Sequence, residues 1–299
     1  MSDAIIETAE LRKRYDGGVE ALRGLNLRVP AGSICGFLGR NGAGKTTAIK
    51  ILLGMARPTA GDARVFGLRA DDDAESVQIR RRVGFVSEEK DVYDYMTVGE
   101  MIRFTAPLFP HWRDDLEKRY LERFDLPRNR RVKELSRGMR TALALLLAVC
   151  RGAELLILDE PTSGLDPAMT EIVLQTLVTH VADEGTAVFF SSHQIAEIEQ
   201  VADTVAIIDR GRTVVSGALD DLRENFRRIR LVFDADAPDA TFQAAGVESV
   251  ARQGRTMTLL SSRGADTLVA EARALNPVSV DVAPVTLKEI FLEAVARED

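Results

Sequence analysis

The sequence predicts an α/β protein built on a largely parallel sheet, with a β-rich segment before it and a small α+β domain after it. Three observations carry this. A buried apolar run at 33–37 passes through a glycine-rich turn into a periodic apolar segment at 48–53, the mark of strand, loop and helix in succession. Short apolar runs at 155–159, 187–191 and 205–208 are separated by helical patterns, as parallel strands joined by crossover helices are. After about residue 222 the pattern changes. Strand candidates at 229–233, 247–251, 256–260 and 278–282 then mix with helix candidates at 265–275 and 287–296.

Taken in order, the apolar runs at 5–15 and 21–29 flank Asp16-Gly17-Gly18, a turn signal that predicts a hairpin. Between about 97 and 150 the pattern is helical. Thr97-Val98-Gly99-Glu100 matches a capping box, and further helices are predicted at 114–124 and 136–151. The expected organisation is a first domain over 1–222, with a helical subdomain at about 95–150, and a second over 223–299.

Composition is that of a globular protein: 299 residues, 45% hydrophobic and 28% charged, enough for a sizeable core. The two cysteines, Cys35 and Cys150, lie far apart in apolar stretches, which suggests neither a disulfide framework nor a zinc cluster and points to a reducing compartment. The opening MSDAIIETAELRKRY lacks the features of a secretory signal, so a cytoplasmic location is expected. The longest apolar run, ALALLLAVC at 142–150, is far below the ~20 residues that a membrane span requires. The formal net charge is −7, with ten basic and twelve acidic residues in 223–299, so no concentrated basic face for nucleic acid is visible.

Gly39-Arg40-Asn41-Gly42-Ala43-Gly44-Lys45-Thr46-Thr47 contains the phosphate-binding pattern G-x-x-x-x-G-K-T. Glycines let the backbone wrap round phosphate oxygens and turn N–H groups inward, and the following helix presents its positive end. Lys45 would face the β and γ phosphates of ATP, the Thr46 hydroxyl would ligate Mg²⁺, and Thr47 would donate to the α phosphate. A glycine-rich turn with no ligand is the plainer alternative, and the strand before and helix after weigh against it. Farther on, Leu155-Leu156-Ile157-Leu158-Asp159-Glu160 is an apolar strand ending in two carboxylates. Asp159 is a candidate for the Mg²⁺ shell and Glu160 for a general base acting on water.

With these two segments in place, the sequence resembles the ATP-binding subunits of ABC transporters over about residues 4–222. LLILDEPTSGLDP is similar to the family's Walker B segment and D-loop, with Asp166 the D-loop acid. Leu135-Ser136-Arg137-Gly138-Met139 resembles the signature usually written LSGGQ, carrying Ser136 and Gly138 as nucleotide contacts. Ser191-Ser192-His193 resembles the switch segment, with His193 catalytic beside Glu160 and Lys45, and Tyr15 lies where the family places an adenine-stacking aromatic. Two departures stand out. The Q-loop glutamine falls at Glu88, a carboxylate near the metal, and Arg137 and Met139 replace a glycine and a glutamine of the signature.

The resemblance implies a P-loop NTPase fold and an ATPase subunit that powers transport through separate integral membrane permease subunits. Two ATPase subunits, in a homodimer or heterodimer, would close over ATP, and the chain would sit on the inner face of the membrane through its partner. An aromatic-rich stretch, Tyr93, Tyr95, Met96, Phe104, Phe109 and Trp112, either lines the groove that senses the permease or packs the helical subdomain. The segment at 286–292 is similar to the C-terminal part of exporter ATPases, which favours export. The alternative is a soluble ATPase of the same type acting on the ribosome or DNA; the absence of a basic patch or a second ATPase domain speaks against it.

Overall fold

A computed structural model describes residues 4–90 and 92–296. The chain divides into two compact units, Met1–Ser216 and Gly217–Asp299. The division falls a few residues ahead of 222, before a helix that runs through that position rather than inside it.

The first unit opens with the hairpin β1 (Ala4–Arg14) and β2 (Glu20–Pro30), turned at Gly17 and Gly18. β3 (Ile34–Gly39) is buried along its whole length, as a strand covered on both faces must be, and leads into α1 (Lys45–Leu52). β4 (Ala60–Val65) and β5 (Leu68–Arg69) complete an antiparallel sheet in the order β2-β1-β4-β5. Next come α2 (Asp73–Arg82), capped by the Asp72 carboxylate, and β6 (Val83–Val86).

The helical region consists of α3 (Val98–Thr105), α4 (Asp114–Arg123) and α5 (Arg137–Cys150). The capping box at Thr97 and Glu100 forms in both directions, and the Ser136 hydroxyl caps α5. The chain then alternates β7 (Leu155–Leu158), α6 (Pro167–Glu184), β8 (Ala187–Ser192), α7 (Ile195–Val201) and β9 (Thr204–Asp209), ending in β10 (Arg212–Ala218). The second sheet runs β10-β9-β3-β8-β7-β6, with parallel pairing from β9 through β6. One apolar core joins the two sheets through α1, drawing on Ile6, Leu25, Ile49, Ile157 and the rings of Phe37 and Phe189, whose centres are 5.1 Å apart.

The second unit contains α8 (Leu219–Asn225), β11 (Arg227–Val232), β12 (Val247–Gln253), β13 (Thr256–Ser261), α9 (Ala265–Arg273), β14 (Ser279–Pro284) and α10 (Leu287–Ala296). Its sheet is antiparallel in the order β12-β13-β11-β14. Ile229, Leu231, Met257 and Leu259 on one face pack with Leu268 and Ala272 of α9. Both cysteines are buried free thiols, and burial pushes Cys35 up to about 11 and Cys150 higher still, so neither is a ready nucleophile. Among the described residues, no helix is long and apolar enough to cross a membrane.

Phe189 is fully buried on the central strand β8 against Phe37. Phe189→Ala is expected to lower the unfolding free energy of the protein by about 3–5 kcal/mol, read as an earlier midpoint in urea.

Candidate active site

The glycine-rich loop after β3 begins the site. At Gly44 the backbone is left-handed (φ 109°), and a Cβ there would lie 2.6 Å from the Ala21 carbonyl oxygen, so only glycine fits. The loop closes on itself through the Ala43 N–H, which donates to the Arg40 carbonyl at 3.1 Å. Lys45, at the start of α1, is buried, and its ammonium donates to the carbonyls of Gly39 (2.7 Å) and Arg40 (3.3 Å). Asn41, Gly42, Gly44, Lys45, Thr46 and Thr47 line one wall of a cavity of about 450 Å³. The wall therefore offers a helix N-terminus, one cation and two hydroxyls, a combination suited to phosphate.

Glu88, Glu160, Ser163 and His193 line the same cavity. Asp159 and Glu160 follow β7 and are both buried. The Ser191 hydroxyl donates to Asp159 Oδ1 (2.7 Å) and accepts from the Glu160 N–H (2.9 Å), fixing both acids from β8. Glu160 takes a left-handed backbone, φ 47°, which is uncommon for a side chain other than glycine and aims its carboxylate back across the strand ends. Its two oxygens have separate partners. Lys45 Nζ is 3.1 Å from Oε1, and His193 Nδ1 is 2.8 Å from Oε2.

The Glu160 carbonyl is also engaged. Lys90 is 6% exposed, and its amine donates to the carbonyls of Glu160 (2.9 Å) and Glu88 (3.0 Å). Burial pushes the Lys90 amine down to about 8; Arg137 nearby adds to this, while the acids at 88, 159 and 160 oppose it.

Tyr15 stands at the rim of the loop, 41% exposed, with its hydroxyl 3.5 Å from Thr47 Oγ1 and Lys13 Nζ 5.1 Å from the ring centre. Ser136, Gly138 and Asp166 do not line the cavity. Ser136 and Asp166 cap α5 and α6, accepting from the N–H groups of Met139 (3.2 Å) and Met169 (3.0 Å). These two helix starts touch: a Cβ on Gly138 would meet Met169 Cγ at 2.8 Å, and the Arg137 guanidinium packs directly on Gly164. Sequence reasoning overlooked Ser191, Ser163 and Lys90. Ser191 stood in the quoted Ser-Ser-His segment, and Lys90 lies two residues past Glu88, but no local pattern marks a lysine as buried.

A family model described as ABC transporter matches residues 22–163. The daunorubicin/doxorubicin resistance ATP-binding protein DrrA of Streptomyces peucetius is 37% identical, over 76% of this chain and 70% of that protein. The bacitracin transport ATP-binding protein BcrA of Enterococcus faecalis is 35% identical, over 82% of this chain and 78% of its own length. Among solved structures, cbiO1 of Clostridium perfringens, part of the ABC transporter complex cbiONQ, superposes with a TM-score of 0.63 at 25% identity, covering 72% of this chain and 89% of that one. The P-loop geometry, the paired acids at the strand end and these likenesses agree, and the chain belongs to the ATP-binding subunits of ABC transporters.

Proposed function

We propose that this ATP-hydrolysing transporter subunit uses Glu160 as its general base, and that it drives export through separate integral membrane permease subunits. The observation that carries the assignment is the placement of the Glu160 carboxylate at the cavity, with Lys45 on one oxygen and His193 on the other. In this reading Glu160 takes a proton from water as the water oxygen attacks the γ phosphorus, and the bond to the ADP oxygen breaks. Lys45 offsets charge on the β and γ phosphates, and His193 keeps the carboxylate turned toward the water.

Mg²⁺ suits the donors present. The Thr46 hydroxyl and the Glu88 carboxylate line the cavity, and Asp159 stands next to Glu160. These are few and hard oxygen ligands, as Mg²⁺ takes when phosphate and water complete its shell. When bound, the ion would neutralise charge on the phosphates. The position of Tyr15 at the rim, with its hydroxyl beside Thr47, supports a role for its ring in stacking on the adenine.

Ser136, Gly138 and Asp166 lie outside the cavity, which supports a role on the nucleotide of a second ATPase subunit, whether a copy of this chain or another. The permease would dock at a second cavity, of about 420 Å³, lined by Met55, Phe85, Met101, Leu108 and Phe109. Tyr93, Tyr95 and Phe104 are exposed, with the Tyr93 ring in contact with each of the other two, unlike Trp112, whose indole N–H is committed to Glu117. Such docking would hold the chain at the inner face of the membrane. Export is favoured because the relatives include proteins named for drug resistance and bacitracin transport.

Lys45→Ala is expected to weaken ATP binding about ten- to hundredfold, the worth of a charge-assisted contact, in a titration with fluorescent ATP. Glu160→Gln is expected to bind ATP while hydrolysing it about 100- to 10,000-fold more slowly. Because the γ phosphate persists, gel filtration with ATP and Mg²⁺ should show more dimer for this variant than for the parent. Parental phosphate release by Glu160→Gln would remove Glu160 as the base.

A further inference from the structure

We infer that Lys90 is a positioning residue for hydrolysis: its buried amine clamps the backbone of Glu160 to the Q-loop and so sets where the Glu160 carboxylate stands. This rests on the reading of Glu160 as general base. The amine sits between two carbonyls, that of Glu88 at 3.0 Å and that of Glu160 at 2.9 Å. A lysine is rarely this buried unless it is paired, and here both partners are main-chain groups of segments that supply acids to the cavity. Lys90 itself holds a left-handed backbone, φ 54°, as Glu160 does at 47°. Two strained residues therefore face each other and are joined through one ammonium group.

The direction of the effect follows from what else fixes Glu160. Its N–H is bonded to Ser191 from β8, and its carbonyl accepts from Lys90 and, at 3.2 Å, from the Ser163 N–H within its own turn. Lys90 thus supplies the long-range hold on the carbonyl side of this peptide. Removing it loosens the backbone from which the carboxylate projects, and loss of about 1 Å in placement can cost on the order of 100-fold in rate. Lys90 does not line the nucleotide cavity, so ATP affinity should be spared.

The test compares four full-length proteins: the parent, Lys90→Met, Glu160→Gln and the double variant. Lys90→Met is expected to lower kcat about 10- to 100-fold with KM for ATP within about twofold, a split that marks loss of an interaction felt only in the transition state. In the Glu160→Gln background the same change should have no further effect on residual hydrolysis, because the group being positioned is gone. Hydrogen exchange at 159–163 should be faster in Lys90→Met than in the parent, with or without turnover. Parental kcat, unchanged exchange at 159–163, or an equal fold-loss in both backgrounds would each overturn the inference. Should Lys90→Met fail to fold, Lys90→Gln, a shorter polar side chain, carries the same comparison. A failure of the general-base reading is seen separately, as parental hydrolysis by Glu160→Gln alone.

Discussion

Holding Glu160 at φ 47° costs about 1–3 kcal/mol of backbone strain, and it persists because every polar atom of the residue is bonded from a different direction. The N–H is taken by Ser191, the carbonyl by Lys90 and Ser163, and the two carboxylate oxygens by Lys45 and His193. These partners come from the end of β8, the segment after β6, the turn after β7 and the start of α1. The strain can be maintained only if those elements lie side by side around β7, so the geometry of one residue fixes the neighbours that the sheet must have.

The parallel order supplies that arrangement. Val86 pairs with Leu158, Leu158 with Phe190, and Leu38 with Ser192, so the C-terminal ends of four strands finish along one edge. Ligands of open α/β sheets gather at that edge for this reason. Burial on both faces demands apolar strands, and polar side chains are accepted only where they have partners. Ser191 and Ser192 obey this: both are fully buried, one bonded to Asp159 and the other to Glu197 at 2.7 Å.

What could be read from the sequence was whatever is encoded within a few residues. The hairpin around Gly17 and Gly18, the capping box at Thr97, the cap at Ser136, the glycine-rich loop and the acids after Leu158 all carry their physics locally. α2 was not legible because only Ser76 and Ile79 face the interior, too few to set up a period among so many charges. β4 was missed for a similar reason, its glycine and charged residues hiding the buried Ala63 and Val65. The burial of Lys90, the double role of Ser191 and the contact of Arg137 with Gly164 join segments far apart in sequence. Such contacts exist only once the sheet has brought the strand ends together.

The starts of α5 and α6 extend the same logic outward. Arg137 on Gly164 and Gly138 on Met169 bind the two helix starts to each other, so Ser136 and Asp166 are held in a fixed relation. Both side chains already cap their helices. Under the proposed arrangement Ser136 must also meet the phosphate of a second subunit, and a hydroxyl can do both: it accepts the Met139 N–H on a lone pair while its own proton stays free to be donated. An aspartate would cap α5 as well, yet it has no proton to give when ionised and would bring a negative charge toward the phosphate. Helix capping therefore restricts this position to a few residue types, and under the proposed arrangement the charge of the ligand removes aspartate from them, leaving serine among the neutral caps that can still donate.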